Sequence, residues 1–329
     1  MTRWISLSAR VFALLSLGVA LLSLGGAVNG WLDVLTHFTP VTLSIGVLAG
    51  ILALASERKG RRLSIIMAAV AIFIAAGMMV PDLVSTQPLG GTRSSNTQVI
   101  KVVQINLWSF NVDPVGTAKW IAIEDPDIVV VEEATGYSLI TLALLHQKYP
   151  YITHCPARVP CTTRILSKHQ PTRAGIYPSP DSFGRHSGAW ATLADANGAF
   201  TVVGVHSLWP VPPDPRQIQT HRLAESLKDF DRSSLILAGD FNATPWSFAL
   251  GHQDNLFGIT RRTHGLFTWP TRPWSRHKLW APLPFLALDH VYAGSVWQTV
   301  SARRGPKLGS IHLPVVVELA RPLLARPQA

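Results

Sequence analysis

Leu235-Ile-Leu-Ala-Gly-Asp-Phe-Asn-Ala-Thr-Pro-Trp246 is the stretch on which the fold turns. The apolar run Leu235 to Ala238 has the length of a buried strand. It stops at Gly239 and is followed by Asp240 and Asn242, two side chains able to hold a metal ion or a phosphate. Side chains at i and i+2 share a face, so a carboxylate and an amide would converge on one point. That arrangement suits a hard cation holding a phosphate oxygen. Taken alone, the segment reads equally as a strand followed by an Asx turn closed by Thr244-Pro245.

Other segments repeat the pattern of an apolar strand that ends in polar chemistry. Val99 to Asn106 alternates and delivers Asn106, and Asp127 to Glu133 is a continuous apolar run that delivers Glu133. Phe200 to His206 ends in His206-Ser207, and Phe285 to Tyr292 carries Asp289 into an apolar strand. Gly309 to Leu319 reads as a strand entered through His312. Helical patterns lie between them at residues 115–123, 138–148 and 217–230. Strands interspersed with helices, with polar residues at the strand ends, imply an α/β or α+β sandwich. Each polar residue alone has a structural explanation as a cap or a hydrogen-bonded strand terminus. The joint occurrence is what points to a site.

The first 83 residues are of a different kind. The chain is 47% hydrophobic, and the excess lies there. Uncharged apolar runs at 11–28, 41–55 and 63–80 are each near the length a helix needs to cross about 30 Å of hydrocarbon, the middle one once it is extended back to residue 36. Three membrane helices at about 11–28, 36–55 and 63–80 are therefore expected. Arg3 and Arg10 precede the first, and Arg58, Lys59, Arg61 and Arg62 separate the second from the third, whereas residues 29–40 hold no Lys or Arg. That asymmetry puts the N-terminus in the cytoplasm of a multi-pass inner (cytoplasmic) membrane protein. Three spans then put the remainder on the periplasmic or extracellular side. Residues 84–97 read as a linker, 98–322 as the folded domain and 323–329 as a tail. The only two cysteines, Cys155 and Cys161, fall in the exported part and are expected to form a small-loop disulfide.

The first 83 residues hold six basic and three acidic residues, which leaves 23 basic against 16 acidic, a net +7, for the remainder. The positive balance favours anionic partners without choosing among them. The basic residues are scattered, unlike the dense runs of a nucleic-acid-binding arm.

Asn, Glu, His, Asp-x-Asn, Asp and His in that order resemble the endonuclease/exonuclease/phosphatase (DNase I-like) superfamily over about residues 99–320. The resemblance implies an α/β fold, a four-layer αββα sandwich of two mixed β-sheets, here preceded by three transmembrane helices. It also implies roles. Glu133 in Val-Val-Val-Glu-Glu resembles the metal-binding Glu, usually preceded by Gln where this chain has Glu132. Asn106 resembles the first-strand Asn at the metal and phosphate, and His206-Ser207 the His that assists at the phosphate. Asp240 and Asn242 in Gly-Asp-Phe-Asn match the most specific motif, Asp240 facing the attacking water and Asn242 the phosphate. Asp289 matches the carboxylate that orients the last His, here His312. The chain departs from the family at Ser310-Ile311-His312, where the motif is Ser-Asp-His. Arg185 is a further candidate phosphate contact. Glu132 is expected to face away from Glu133, because neighbours on a strand point to opposite faces.

The resemblance implies an Mg²⁺- or Mn²⁺-dependent hydrolase of phosphate esters, membrane-embedded and acting on a lipid-linked or nucleic acid substrate, with no protein partner predicted. Asn-Ala-Thr-Pro-Trp246 and Thr268-Trp-Pro270, ahead of Leu288-Asp289-His290, resemble a bacterial membrane-anchored subgroup associated with lipid pyrophosphate carriers. Two alternatives stand beside this reading: an extracytoplasmic nuclease, and a phosphate-binding or scaffold protein impaired by Ile311.

Overall fold

The structure, a computed structural model, describes residues 2–85, 97–156, 161–178, 186–272 and 283–323. Arg185, Trp274, Arg276, Lys278, Trp280, most of the expected linker and all but the first residue of the expected tail lie outside them. The chain divides into two compact units. One is formed by the residues up to Ser85 together with Pro210–Asp214 and Ala243–His252, and the other by the rest.

In the first unit the helices are α1 (Thr2–Leu24), α2 (Gly30–Asp33), α3 (Thr39–Leu54) and α4 (Arg58–Leu83). Three segments, Arg3–Ala27, Gly30–Leu54 and Arg58–Leu83, are long and apolar enough to cross a membrane. α3 starts at Thr39, three residues later than the sequence pattern suggests, with Pro40 in its first turn and a 3₁₀ turn before it. α1, α3 and α4 pack through small residues: Ala13, Ala49, Ala53 and Ala71 are fully buried, while Leu14, Ile51, Leu54, Leu63 and Phe73 face outward. Small residues let helix backbones approach where no hydrophobic force distinguishes a partner helix from lipid. The short segment between α1 and α3 makes polar contacts with Ala243–His252. Asp33 accepts hydrogen bonds from the backbone N–H groups of Phe248 and Ala249, each at 2.9 Å, and His37 Nδ1 lies 3.0 Å from Thr244 Oγ1.

The second unit contains α5 (Pro114–Glu124), α6 (Leu139–Leu145) and α7 (Pro213–Ser226), most of which belongs to it, and the end of α8 (Phe248–Phe257). Its strands are β1 (Thr97–Asn106), β2 (Ile128–Glu132), β3 (Tyr151–Ile152), β4 (Arg164–Ser167), β5 (Arg173–Tyr177), β6 (Gly188–Asp195), β7 (Gly198–His206), β8 (Ile236–Asp240), β9 (Thr260–Arg261), β10 (Asp289–Ala293), β11 (Gln298–Arg304) and β12 (Val315–Pro322). They form two six-stranded mixed sheets, ordered β11-β12-β1-β2-β4-β3 and β5-β6-β7-β8-β10-β9. Period-two alternation builds the layers. Ile100, Val102, Ile128, Val130, Val315 and Val317 of the first sheet meet Val202, Ile236, Ala238 and Val291 of the second in the central core. Val103, Ile105, Val129 and Val131 point the other way and pack on Ala118 and Ile121 of α5 and on Leu142 and Leu145 of α6. Outside the second sheet, Phe257 of α8 stacks against Phe241 and Tyr292 with ring centroids 6.3 and 5.8 Å apart. Each fully buried Val or Ile of these layers contributes about 1.5–3 kcal/mol of transfer free energy. The result is the expected four-layer αββα sandwich.

Two strand boundaries differ from the sequence pattern. The segment expected to be a strand from Phe285 becomes regular only at Asp289, because Phe285 and Leu286 give their N–H groups to the carbonyl of Trp269 in a local bridge. β12 begins at Val315, so His312 lies in the loop before the strand. Pro314 has no N–H to give a ladder, which sets the boundary. Cys155 and Cys161 are joined in a disulfide.

Candidate active site

The inward-facing parity that builds the central core also builds the site. In β1 the inward positions Ile100 and Val102 continue as Gln104 and Asn106, and in β2 Ile128 and Val130 continue as Glu132. In β8 Ile236 and Ala238 continue as Asp240, in β7 Val202 leads to His206, and β10 opens with Asp289 ahead of Val291. Register aligns these ends: Asn106 pairs with Glu132, His206 with Asp240, and Asp289 with Asp240. The apolar interior of the sandwich therefore gives way at one end to a buried polar cluster.

Gly239 shows why the motif reads Gly-Asp-Phe-Asn. A Cβ there would sit 1.9 Å from the carbonyl oxygen of Val205, so only glycine lets β8 lie against β7 and set Asp240 beside His206.

Asn106 Nδ2 lies 3.1 Å from both Glu133 Oε1 and Asp240 Oδ2, and its Oδ1 accepts from the N–H of Trp108. His206 Nε2 and His312 Nε2 each lie 3.6 Å from Asp240 Oδ2, and His312 Nδ1 lies 2.8 Å from Asp289 Oδ2. Asn242 gives its side-chain N–H to the carbonyl of Ser207 at 2.9 Å, and its backbone N–H goes to Asp240 Oδ1 at 2.9 Å. Ser310 Oγ donates to the carbonyl of Asn106 and accepts from the N–H of His312, which fixes the final loop on the end of β1. Ile311 is buried between these two residues. The structure thus brings together Asn106, Glu133, His206, Asp240, Asn242, Asp289 and His312.

Glu133 reaches the site by an unexpected route. Strand parity would turn it away from Glu132, but its backbone is left-handed, with φ of 51°. This conformation costs a non-glycine residue about 1 kcal/mol. It is held by Thr135 N–H and Ser138 Oγ–H, both donating to the Glu133 carbonyl, while Ser109 N–H and Oγ–H donate to Glu133 Oε2. Both adjacent carboxyls consequently serve one region. Glu132 lies beneath the site, accepting from Gln104 Nε2 at 2.8 Å. Gln104 and Glu132 are the buried polar residues that sequence reasoning did not assign. Their signal was a polar residue at an inward position near the end of an otherwise apolar strand.

Burial governs the electrostatics. It pushes the Glu132 carboxyl well above the ordinary range, and Asp289 and Asp240 add to the rise. Burial also raises Asp240, with Asp289 adding and the two histidines offsetting only part. At Glu133 and Asp289 burial is outweighed. The field of His206 and the Asn106 hydrogen bond lower the first, and His312 lowers the second. Burial alone would lower His312, but Asp289 and Asp240 raise it to about 9. The site therefore holds ionised carboxylates beside a protonated imidazole.

Half-buried Glu133 and buried Asp240 bring carboxylate oxygens to a common point at Asn106 Nδ2, a donor set that fits a hard divalent cation. Asp240, Asp289 and His312 also place one ligand atom each within 4.8 Å of one another. Asp289 and His312 already bond to each other. As placed, Asn106 faces the Glu133 and Asp240 oxygens with its amide nitrogen, and ligation through Oδ1 takes the flipped amide. A cavity of about 590 Å³ reaches His206 and Ser207 and is otherwise lined by residues such as Tyr177, Val205, Phe257 and the α7 residues Gln219, Arg222 and Glu225.

A model of the Endonuclease/Exonuclease/phosphatase family matches residues 103–311. No curated protein sequence matches the chain. Among solved structures the chain is similar to sphingomyelinase C from Streptomyces griseocarneus, with 17% identity over 67% of this chain and 99% of that one and a TM-score of 0.51. It is also similar to a double mutant of beta toxin from Staphylococcus aureus with bound magnesium ions, at 15% identity, 67% and 99% coverage and a TM-score of 0.51. An endonuclease/exonuclease/phosphatase from Beutenbergia cavernae matches at 20% identity over 70% and 73% of the two chains, with a TM-score of 0.52. At these identities the structural likeness speaks for the fold. The family model, which covers more than half of the sequence and all of the clustered strand ends but His312, carries the assignment: this chain belongs to the Endonuclease/Exonuclease/phosphatase family.

Proposed function

We propose that the protein is a membrane-anchored phosphoesterase that depends on a divalent cation, acts outside the cytoplasm, and hydrolyses lipid-linked or other envelope phosphate esters. The observation that carries this reading is the convergence of Glu133 with the buried Asp240, His206 and Asp289–His312 pair at one end of the sandwich.

Mg²⁺ or Mn²⁺ held by Glu133, with Asn106 beside it, supplies Lewis-acid neutralisation of the phosphate oxygens when bound. Asp240 orients the attacking water and takes its proton at Oδ2. Burial raises its affinity for protons, which makes it a stronger proton acceptor than an exposed carboxylate. The water oxygen forms the new bond to phosphorus as the ester bond to the leaving oxygen breaks. His312 Nε2 and His206 Nε2 donate hydrogen bonds to the charge that develops, and Asp289 holds His312 with its proton on Nδ1. Asn242 holds the Ser207 carbonyl and with it the loop that carries His206. Arg185 is kept as a candidate phosphate contact.

The basic residues before the first and third apolar helices support a cytoplasmic N-terminus. The disulfide supports an oxidising compartment for the second unit. Likeness to a sphingomyelinase supports a substrate with an apolar part.

The test is the full-length chain in detergent, assayed with Mg²⁺, Mn²⁺ or EDTA against undecaprenyl pyrophosphate, bis-p-nitrophenyl phosphate and plasmid DNA. Cation-dependent hydrolysis of the lipid-linked substrate is expected. Hydrolysis of none overturns the reading, and preference for DNA with steep salt dependence turns it into a nuclease. Protease treatment of spheroplasts should remove the second unit, and full protection would overturn the topology.

A further inference from the structure

Gln104 and Glu132 take no part in the reaction just described, yet they occupy inward positions where Ile100, Val102, Ile128 and Val130 predict a further aliphatic layer. Both have zero exposure. Gln104 Nε2 donates to Glu132 Oε2 at 2.8 Å and to Asp289 Oδ1 at 2.9 Å, so one amide nitrogen bridges the two sheets. Both amide hydrogens are used. The reversed amide would set its carbonyl oxygen against two carboxyl oxygens, so the Gln104 orientation is determined. The arrangement has a cost: Gln104 Oε1 and Glu132 Oε1 are buried without a hydrogen-bond partner in the structure, each worth about 1–3 kcal/mol. A sequence that breaks an apolar pattern without a gain in stability does so most often at a working site.

The gain lies at Asp289. Its Oδ1 is taken by Gln104 and its Oδ2 by His312 Nδ1 at 2.8 Å, with the Thr268 side chain as a further hydrogen-bond partner, and Gln104 is the partner that reaches it from the opposite sheet. A carboxylate held at one oxygen can turn about its terminal torsion, whereas one held at both oxygens presents a fixed acceptor. His312 is thereby kept in one ring plane with Nε2 toward Asp240. We propose that Gln104 is a positioning residue for phosphoester hydrolysis, acting through Asp289 to fix the His312 ring, with Glu132 as the brace that holds the Gln104 amide. The inference rests on the phosphoesterase reading above.

The test uses the full-length chain in detergent with Mg²⁺ and bis-p-nitrophenyl phosphate. Gln104→Leu lowers kcat on the order of 10-fold, the low end for a residue that orients a catalytic ligand, with KM within about 2-fold of wild type; its melting temperature falls, because Asp289 Oδ1 and Glu132 Oε2 lose their donor. Glu132→Gln, which still offers an oxygen to Gln104, keeps kcat within about 3-fold. Glu132→Leu loses kcat as Gln104→Leu does, and it serves as the second arm should Gln104→Leu fail to fold. Wild-type kcat in either folded leucine variant overturns the proposal, as does a change confined to KM. Absence of cation-dependent hydrolysis in the wild type itself is a failure of the phosphoesterase reading instead.

Discussion

His312 stands between two carboxylates, with Nδ1 2.8 Å from Asp289 Oδ2 and Nε2 3.6 Å from Asp240 Oδ2. The two contacts differ in kind. The short one fixes the ring, and the longer one leaves space at Nε2 for a third group. Asp289→Asn keeps the shape but offers an N–H to Nδ1 and so favours the wrong tautomer. We expect kcat on bis-p-nitrophenyl phosphate to fall by at least about 10²-fold with little change in KM. A kcat near wild type would remove Asp289 from the orienting role.

The same pair predicts a dependence of stability on pH in EDTA. The folded state raises His312 from 6.5 to about 9, so it binds this proton more tightly than the unfolded chain does. That stabilisation is fully present below about pH 6.5 and is lost as pH rises through about 9. The shift corresponds to about 3 kcal/mol. Denaturant unfolding of wild type and His312→Gln between pH 6 and 10 measures the difference. The wild type should lose stability relative to the variant across that window, and parallel curves would contradict the shift.

Much of this site is legible in the sequence because one rule, alternation along a strand, governs both the core and the cluster. Asn106, His206, Asp240 and Asp289 each sit where the next inward-facing aliphatic residue would have been, so an apolar run broken by a polar residue marks them. What the rule cannot show is where a strand stops obeying it. The left-handed backbone of Glu133 reverses its facing, and nothing in Val-Val-Val-Glu-Glu signals this. The strands that escaped sequence reading are short or weakly apolar. β3 has two residues and β4 four, β5 has no fully buried residue, and β6 is built largely from Gly, Ala and Thr. α8 likewise carries Gly, His, Gln, Asp and Asn among its ten residues.

Gly239 offers a test of packing rather than chemistry. An alanine methyl would overlap the Val205 carbonyl, which belongs to a central strand and cannot move as a side-chain tip can. Gly239→Ala should destabilise the second unit by about 3 kcal/mol, at the upper end of ordinary overpacking, and separate Asp240 from His206. Thermal unfolding of the full-length chain checks the first effect and diester hydrolysis the second. A melting temperature equal to wild type would show that β7 and β8 are not held as closely as described.

Asp33 predicts an effect of the first unit. Its two carboxylate oxygens cap the first two N–H groups of α8, a task usually given to a residue adjacent in sequence. Asp33→Ala should cost about 1–2 kcal/mol, while Asp33→Asn, which keeps one acceptor, should cost less than half as much. The order wild type, Asn, Ala in melting temperature is the expected outcome, and an unchanged Asp33→Ala protein would refute the cap.

Ile311 is the departure from the family motif that bears most directly on the cation. It is 9% exposed, flanked by Ser310, which is tied to the Asn106 carbonyl, and by His312. The loop is therefore held in place whatever side chain position 311 carries. If position 311 looks into the site, an acidic side chain there adds an oxygen donor to the two carboxylates that gather around Asn106 Nδ2. Ile311→Asp should lower the Mg²⁺ concentration for half-maximal diester hydrolysis on the order of 10-fold, the scale on which groups around a metal tune its affinity. It should also lower the melting temperature in EDTA, because a buried carboxylate then replaces an aliphatic side chain. A melting temperature that falls in EDTA and recovers with Mg²⁺ would show that position 311 looks into the cation site. A fall that Mg²⁺ does not reverse would place it outside, and the Mg²⁺ requirement should then be unchanged.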